Sequence, residues 1–200
     1  MIIGFYGMSH LGINYMTASA AKGFKSIAYD ENKKLIDDLV SGKKIINEPN
    51  VFKNIKKYKK NIVFTNNFKN FEKCKIIFIS SDVSTNSKGK SDLKPINKNI
   101  IKLKKKFSNK NLIIMSQVNP GFTEKINWNK DKLFHQVETL IFGKAYYRAL
   151  KPERIIIGAK NENKKLNKDI KNYYDKFKCP IIVTNYKTSE LIKISINLFL

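Results

Sequence analysis

The sequence predicts an α/β fold in which a doubly wound, mainly parallel sheet carries helices on both faces. Short apolar runs of strand length alternate with helical segments along the chain, without an internal repeat or a low-complexity linker. The run at 75–79 is almost wholly apolar, which is typical of a strand buried on both faces. The predicted strands are 2–6, 25–29, 61–65, 75–79, 111–115, 133–140, 154–157 and 180–184. The predicted helices are 7–22, 31–41, 92–107, 161–177 and 188–200, with a helical turn at 67–73.

The first thirty residues form a strand, a glycine-rich turn, a helix, a second strand and an acid. Gly7 allows a sharp turn off the strand, and Gly12 allows the helix to lie close to the sheet. The N–H groups and the dipole at the start of such a helix suit a pyrophosphate. Asp30 stands where a carboxylate would accept hydrogen bonds from an adenosine ribose and repel a 2′-phosphate. These features predict a Rossmann-type unit that binds NAD rather than NADP.

The glycine-rich turn departs from the usual pattern at its middle glycine, which is Ser9. A serine is small enough for the close approach to a pyrophosphate, and its hydroxyl could donate to a phosphate. The alternative is a plain α/β turn that binds nothing. The residues predicted to contact the cofactor in this turn are Gly7, Ser9, His10, Leu11 and Gly12.

Length and composition limit the class of protein. The 200 residues, 42% of them hydrophobic, suffice for a buried core. No apolar run approaches the roughly 20 residues that span a bilayer, and no leader pattern is visible, so we expect a cytoplasmic location without membrane contact. Cys74 and Cys179 are expected to be reduced core thiols, and the chain's two histidines give no metal-binding cluster.

The formal net charge of +23 comes almost wholly from lysines scattered along the chain. Nucleic-acid binders concentrate charge on one face, often with arginines and aromatic residues between them. The scattered pattern favours a solvated surface and no specific nucleic-acid partner, although a basic polyanion binder remains an alternative. The excess charge would also attract an anionic substrate.

The later part of the chain places polar loops directly after predicted strands. Segments 80–91 and 116–123 follow two such strands, and loops at the carboxyl ends of strands line the ligand crevice of an open α/β sheet. Residues 43–60 are expected to be a polar connection. The predicted last helix is still apolar at residue 200, so we expect more protein to follow. We assign 1–186 to the cofactor-binding domain and 187–200 to the start of a connecting helix.

The order of short motifs along the chain resembles the N-terminal half of the UDP-glucose/GDP-mannose 6-dehydrogenase family. The resemblance covers essentially all 200 residues, and it depends on collinear order more than on any one motif. The motifs lie at 7–12 with Asp30, Gly42, 48–49, 64–65, 76–79, 91–93, 116–123, Glu138, 152–158 and 189–197.

The resemblance implies that NAD takes two hydrides in turn from C6 of a UDP- or GDP-sugar. The product is a uronic acid for polysaccharide precursors, formed through a thioester on a cysteine, by an enzyme that is a homodimer at full length. Lys193 and Asn197 match the family's catalytic helix, Glu138 its glutamate near the water or general base, and Ser116 and Gln117 its cofactor-contacting loop. The alternatives are that Lys193 and Glu190 lie on an exposed helix face and that Glu138 caps a strand.

Several positions depart from the family pattern. The family's Thr-Pro is Val83-Ser84, the threonine of its Ser-Thr-Val is Gln117, the proline before Glu138 is Val137, and a second polar site is Phe142. The family's nucleophilic cysteine belongs to a later segment that these 200 residues do not include. A stand-alone dinucleotide- or nucleotide-sugar-binding module without turnover is therefore the second hypothesis.

Overall fold

The computed structural model describes residues 1–87 and 91–199, in which one eight-stranded sheet forms the centre of the protein. Residues 88–90 of the predicted polar loop and Leu200 of the predicted last helix lie outside the described residues. The strands are β1 (Ile2–Tyr6), β2 (Lys25–Tyr29), β3 (Ile62–Thr65), β4 (Ile76–Ile79), β5 (Asn111–Ile114), β6 (Leu133–Val137), β7 (Ile155–Ala159) and β8 (Ile181–Asn185). Their spatial order is β3-β2-β1-β4-β5-β6-β7-β8.

Neighbouring strands are parallel except at β6 and β7, where the direction of the sheet reverses. The helices are α1 (His10–Ala21), α2 (Lys33–Val40), α3 (Val51–Lys57), α4 (Lys94–Phe107), α5 (Phe122–Lys125), α6 (Ala145–Leu150), α7 (Lys168–Tyr174) and α8 (Tyr186–Phe199). Short 3₁₀ turns lie at Lys59–Asn61, Phe68–Lys73, Lys130–Lys132 and Asp175–Phe177. None of the helices in the described part of the chain is long and apolar enough to cross a bilayer.

Two apolar cores cover the two faces of the sheet. Side chains of α1, α2, α3, α6 and α7 pack on one face, and side chains of α4 pack on the other. Residues 12–20 of α1 are all buried, so this helix is enclosed by its neighbours rather than amphipathic. The predicted fold class, a mainly parallel sheet with helices on both faces, is confirmed.

Three predicted segments differ most from the structure, whereas the other predicted boundaries differ from it by up to three residues. The expected polar connection at 43–60 contains α3, because Val51, Phe52 and Ile55 bury one face of that segment. The predicted strand 133–140 ends at Val137. The predicted helix 161–177 begins at Lys168, where the Asn167 side chain accepts a hydrogen bond from the N–H of Ile170 and caps the helix.

The last helix lies unusually close to the sheet. A Cβ added at Gly158 in β7 would lie 2.1 Å from Ser189 Oγ and 2.9 Å from Ser189 Cβ. A side chain at residue 158 would therefore push α8 off β7. The glycine in the sequence fixes how close the residues of α8 come to the sheet.

We expect Gly158→Ala to lower the free energy of unfolding by roughly 1–3 kcal/mol, because the new methyl group overpacks the contact between β7 and α8. Urea unfolding followed by circular dichroism measures the change. Gly23→Ala is the control, since Gly23 has φ +89° and nothing within 4 Å of its Cβ position. It should lose roughly 1 kcal/mol from backbone strain alone. If both variants lose the same free energy of unfolding, α8 moves away from β7 without cost, and the contact at Gly158 does not fix its position.

Candidate functional site

The glycine-rich turn between β1 and α1 is built as the sequence predicts. Gly7 has φ +102°, and a Cβ there would lie 2.7 Å from the backbone Cα of Ser81. A Cβ at Gly12 would lie 2.0 Å from the carbonyl oxygen of Gly7. Both positions therefore exclude any side chain, and the start of α1 lies tightly against the end of β1.

Ser9 is the N-cap of α1. Its Oγ accepts a hydrogen bond from Gly12 N at 3.3 Å and donates to the carbonyl oxygen of Ser80 at 2.7 Å. A hydroxyl has one proton, and that of Ser9 is already donated to Ser80. The expected hydrogen bond from the Ser9 hydroxyl to a phosphate is therefore wrong for this arrangement. The N–H groups of the first turn have no partner among the helix's own carbonyls. This turn would therefore bind an anion mainly through its backbone N–H groups and not through the Ser9 side chain.

Asp30 lies beside the turn at the end of β2. Its Oδ2 accepts from Met8 N at 2.8 Å and its Oδ1 accepts from Asn32 N at 2.9 Å. Each carboxylate oxygen can accept a further bond, so Asp30 retains the capacity to hold ribose hydroxyls. Hydrogen bonds from Lys102 and then from Tyr6 lower the pKa of the adjacent Glu31. Lys102 pairs with Glu31 at 2.7 Å and offsets its charge, so Asp30 is the carboxylate that would oppose a 2′-phosphate at this end of β2.

A crevice of about 370 Å³ opens at the carboxyl ends of β4, β5 and β6, next to the start of α1. It brings together residues from the glycine-rich turn, from the loops after β4 and β5 and from the segment after β6. Its lining residues are His10, Leu11, Ser81, Asp82, Val83, Met115, Ser116, Gln117, Glu138, Leu140 and Phe142. Five of the predicted site residues, from three separate segments, therefore face one cavity.

The residues predicted to be catalytic are also in contact. The ammonium of Lys193 forms an ion pair with Glu138 and donates to Asn197 Oδ1 at 2.9 Å. The amide nitrogen of Asn197 donates to Gln117 Oε1 at 2.6 Å. Lys193 and Glu190 are buried, so the alternative that they lie on an exposed helix face is wrong. A continuous chain of contacts thus joins Glu138, Lys193, Asn197 and Gln117.

Ser116 has a different environment from the one that its predicted role suggests. Its hydroxyl donates to the carbonyl oxygen of Ser81 at 2.5 Å, which ties the loop after β5 to the loop after β4. Cys74 is a buried core thiol as expected, and burial raises its pKa to about 12. Such a thiol stays protonated and is a poor nucleophile.

Two buried carboxylates that support the site were not predicted. Glu190 accepts from Gly121 N at 2.5 Å and from Thr123 N at 2.7 Å, which fixes α8 to the loop after β5. The spacing of three between Glu190 and Lys193 puts both on one helix face, and that spacing was the available signal.

Glu48 is the second unpredicted carboxylate, and it holds the segment after β6. It accepts from Gly143 N at 3.1 Å and from Ala145 N at 2.7 Å, and His10 Nε2 lies 3.0 Å away. Glu48 was part of a sequence motif, but His10 is 38 residues away and Gly143 is 95 residues away, so no local pattern identifies these partners.

His135 of β6 lies behind the lysine, with its Nδ1 2.9 Å from Ser189 Oγ. Burial, and then the positive charge of Lys193, lowers the pKa of His135 to about 3. A neutral imidazole next to a buried ammonium avoids placing two like charges together. Gly158, the register partner of His135, gives Ser189 the room for this contact.

The glycine-rich turn, the acid that ends β2 and the lysine–carboxylate pair at the same edge of the sheet define a dinucleotide-binding domain of the dehydrogenase class. The chain belongs to the UDP-glucose/GDP-mannose dehydrogenase family, whose NAD binding domain matches residues 1–178. The resemblance found in the sequence and the prediction of NAD as cofactor are therefore confirmed.

The relatives agree with this assignment. The chain is 30% identical to a putative UDP-glucose 6-dehydrogenase of Bacillus subtilis, over 100% of the chain and 49% of that protein. It superposes on a GDP-mannose dehydrogenase from Pseudomonas aeruginosa with a TM-score of 0.89 at 20% identity. For a UDP-D-ManNAc dehydrogenase from Pyrococcus horikoshii the TM-score is 0.88 at 22% identity. Both superpositions cover 100% of the chain and 50% of the solved protein, and at these identities they show the fold alone.

We expect the free energy of unfolding to fall as the pH is lowered from about 6.5 towards 3, because unfolded His135 takes up a proton in this range and folded His135 does not. At full effect the slope from one proton is roughly 1.4 kcal/mol per pH unit. In His135→Asn, whose amide can still donate to Ser189 Oγ, the slope should be shallower by up to this amount. Urea unfolding at several pH values between 7 and 4 measures it. Identical slopes in both proteins would contradict a neutral buried His135.

Proposed function

We propose that this chain is the cofactor-binding half of an NAD-dependent nucleotide-sugar 6-dehydrogenase, which oxidises the C6 alcohol of a UDP- or GDP-sugar to a uronic acid. The contact chain from Glu138 through Lys193 and Asn197 to Gln117, at the edge of the crevice, supports this proposal most directly. The names of the relatives, which are dehydrogenases of nucleotide sugars, agree with it. The chain spans about half the length of these relatives.

The residues present fit a bound dinucleotide. The turn at 7–12 packs tightly on the end of β1 at Gly7 and Gly12, and the free N–H groups at the start of α1 can face a pyrophosphate. Asp30 would hold the adenosine ribose, and the crevice lined by Ser116 and Gln117 would take the nicotinamide end. Bound NAD supplies the acceptor for the hydride that leaves the sugar.

Lys193 is suited to stabilise negative charge on the sugar oxygen. Its ammonium has three N–H donors, of which Glu138 and Asn197 take two among the described residues. The third donor remains for an oxygen of the substrate. Its side chain is 8% exposed, so a developing oxyanion would meet this charge with little screening by water.

Glu138 would act as the general base for the proton of the C6 hydroxyl. Its carboxylate contacts Lys193 and accepts from Leu140 N at 2.9 Å, and its side chain is 15% exposed at the wall of the crevice. A carboxylate in this position can accept the proton of the C6 hydroxyl or orient a water molecule. Asn197 orients the lysine, and Gln117 orients Asn197.

The domain division follows from the same proposal. In this proposal residues 1–186 are the cofactor-binding domain, and the part of α8 (Tyr186–Phe199) from residue 187 onwards belongs to a connecting helix. Leu191, Leu198 and Phe199 of α8 are exposed apolar side chains, which suits packing against the rest of the protein and against a second copy in a homodimer.

A binding module without turnover is the second candidate. Cys74 is buried, and burial raises the pKa of both Cys74 and Cys179, which does not suit a nucleophile. The intact mass of the polypeptide isolated from its source cell separates the two candidates. A mass well above 23.2 kDa, with a continuation that carries a reactive cysteine, supports the enzyme. A mass that matches 200 residues supports the module.

We expect Asp30→Asn to weaken NAD binding roughly tenfold, because hydrogen bonds to a neutral amide are weaker than those to a carboxylate. The amide oxygen can still accept from Met8 N in the turn, whereas the exposed bond from Asn32 N is lost. The preference for NAD over NADP should shrink, since the charge opposing a 2′-phosphate falls. Calorimetric titration of both dinucleotides measures this. Asp37→Asn, at an exposed carboxylate of α2, is the matched control, and unchanged NAD affinity in Asp30→Asn would remove Asp30 from the cofactor site.

We expect Lys193→Ala, in the protein with its continuation, to lower kcat by roughly 10²–10³-fold, because the oxyanion loses its cation. NAD affinity should change by less than about twofold. Lys187→Ala is the control, since Lys187 lies on the same helix and pairs with Glu124 at the surface. Steady-state kinetics with a UDP- or GDP-sugar and calorimetry with NAD give both readouts. Full activity in Lys193→Ala would contradict the assigned role.

A further inference from the structure

Phe142 is an exposed aromatic residue in a defined turn between β6 and α6. Lys144 N donates to the carbonyl oxygen of Ile141 at 3.0 Å, and Gly143 has φ +80°. This is the geometry of a type II turn with Phe142 at its second position. The Phe142 side chain is 82% exposed, so burial within the described chain does not account for a phenylalanine here.

The ring is supported from behind by a buried network. The ring centroids of Phe142 and His10 lie 4.7 Å apart at an interplanar angle of 41°. His10 Nε2 is 3.0 Å from a carboxylate oxygen of Glu48, whose side chain is 1% exposed. The same carboxylate accepts the N–H groups of Gly143 and Ala145. Glu48 therefore fixes both the imidazole and the turn that carries Phe142.

His10 and Phe142 both line the crevice, and their position indicates which part of a ligand they would contact. His10 belongs to the turn proposed to hold the pyrophosphate, and Phe142 lines the same crevice as Glu138, where the chemistry would occur. In the proposed cofactor site, the nicotinamide ribose and ring would lie between the turn and Glu138. Val83, Met115 and Leu140 line the same crevice and add further apolar surface.

We propose that Phe142, supported by His10, is the wall against which the nicotinamide ring of NAD packs. This inference rests on the proposed cofactor site and adds a residue that sets how the reactive ring is held. The oxidised ring carries a positive charge and is planar, so an aromatic face attracts it by stacking and by the cation–π interaction.

Calorimetric titration with NAD and with ADP-ribose, which lacks the nicotinamide, tests the proposal. In Phe142→Ala, NAD affinity should fall roughly three- to tenfold, and ADP-ribose affinity should stay within about twofold. Phe142→Trp, which keeps an aromatic face, should retain NAD affinity. Tyr147→Ala is the control, since Tyr147 is an exposed aromatic of α6 outside the crevice. Because Phe142 is exposed, the variants should fold, and thermal unfolding verifies this.

The remaining outcomes separate this inference from the proposed function. If the wild-type chain binds ADP-ribose and Phe142→Ala weakens both ligands equally or neither, the nicotinamide wall is overturned and the cofactor site stands. If Phe142→Ala weakens UDP binding but not NAD binding, the ring faces the substrate base and the proposal is wrong. If the wild-type chain binds neither NAD nor ADP-ribose, the proposed cofactor site fails and the inference fails with it.

Discussion

Three carboxylates that accept backbone N–H groups hold this site together, and two of them, Glu48 and Glu190, are buried. Glu190 fixes α8 to the loop after β5, Glu48 fixes the turn after β6, and Asp30 fixes the glycine-rich turn. Hydrogen bonds to an ionised acceptor are stronger than neutral ones, and each carboxylate takes two backbone donors. The loops thus gain definite positions without regular secondary structure. Lys193 meets Glu138, and Asn197 meets Gln117, because these supports fix where α8 and the loops lie.

Charge in the site is arranged to keep Lys193 as the available cation. Glu138 balances its charge, and His135 behind it stays neutral because its pKa is lowered. Far from this centre, the surplus of lysines gives the protein a net charge of +23, which attracts anionic ligands in general. At the end of β2, Glu31 is paired with Lys102, and Asp30 opposes that attraction where a 2′-phosphate would lie in the proposed site. This carboxylate therefore favours NAD over NADP.

Features that depend on neighbouring residues were predictable. The turn at 7–12 follows from glycine positions, and the shared face of Lys193 and Asn197 follows from the helical spacing of four. Features that depend on distant partners were not. Helix α3 was not predicted within the expected polar connection at 43–60. Its apolar face is short, and it is stabilised by packing against α1, which the local sequence does not reveal. The Ser9 hydroxyl was predicted to donate to a phosphate, but it donates to the carbonyl oxygen of Ser80, which is 71 residues away.

The sequence by itself determined the alternation of strands and helices, the glycine-rich turn, the acid at residue 30 and the family to which the chain belongs. These are local patterns or collinear motifs, and they can be recognised without knowing which distant residues come into contact. The tertiary structure alone decided that Glu190 and Lys193 are buried, that Glu48 anchors Gly143, and that Phe142 lies on His10. Such contacts join segments that only folding brings together, so no pattern along the chain specifies them.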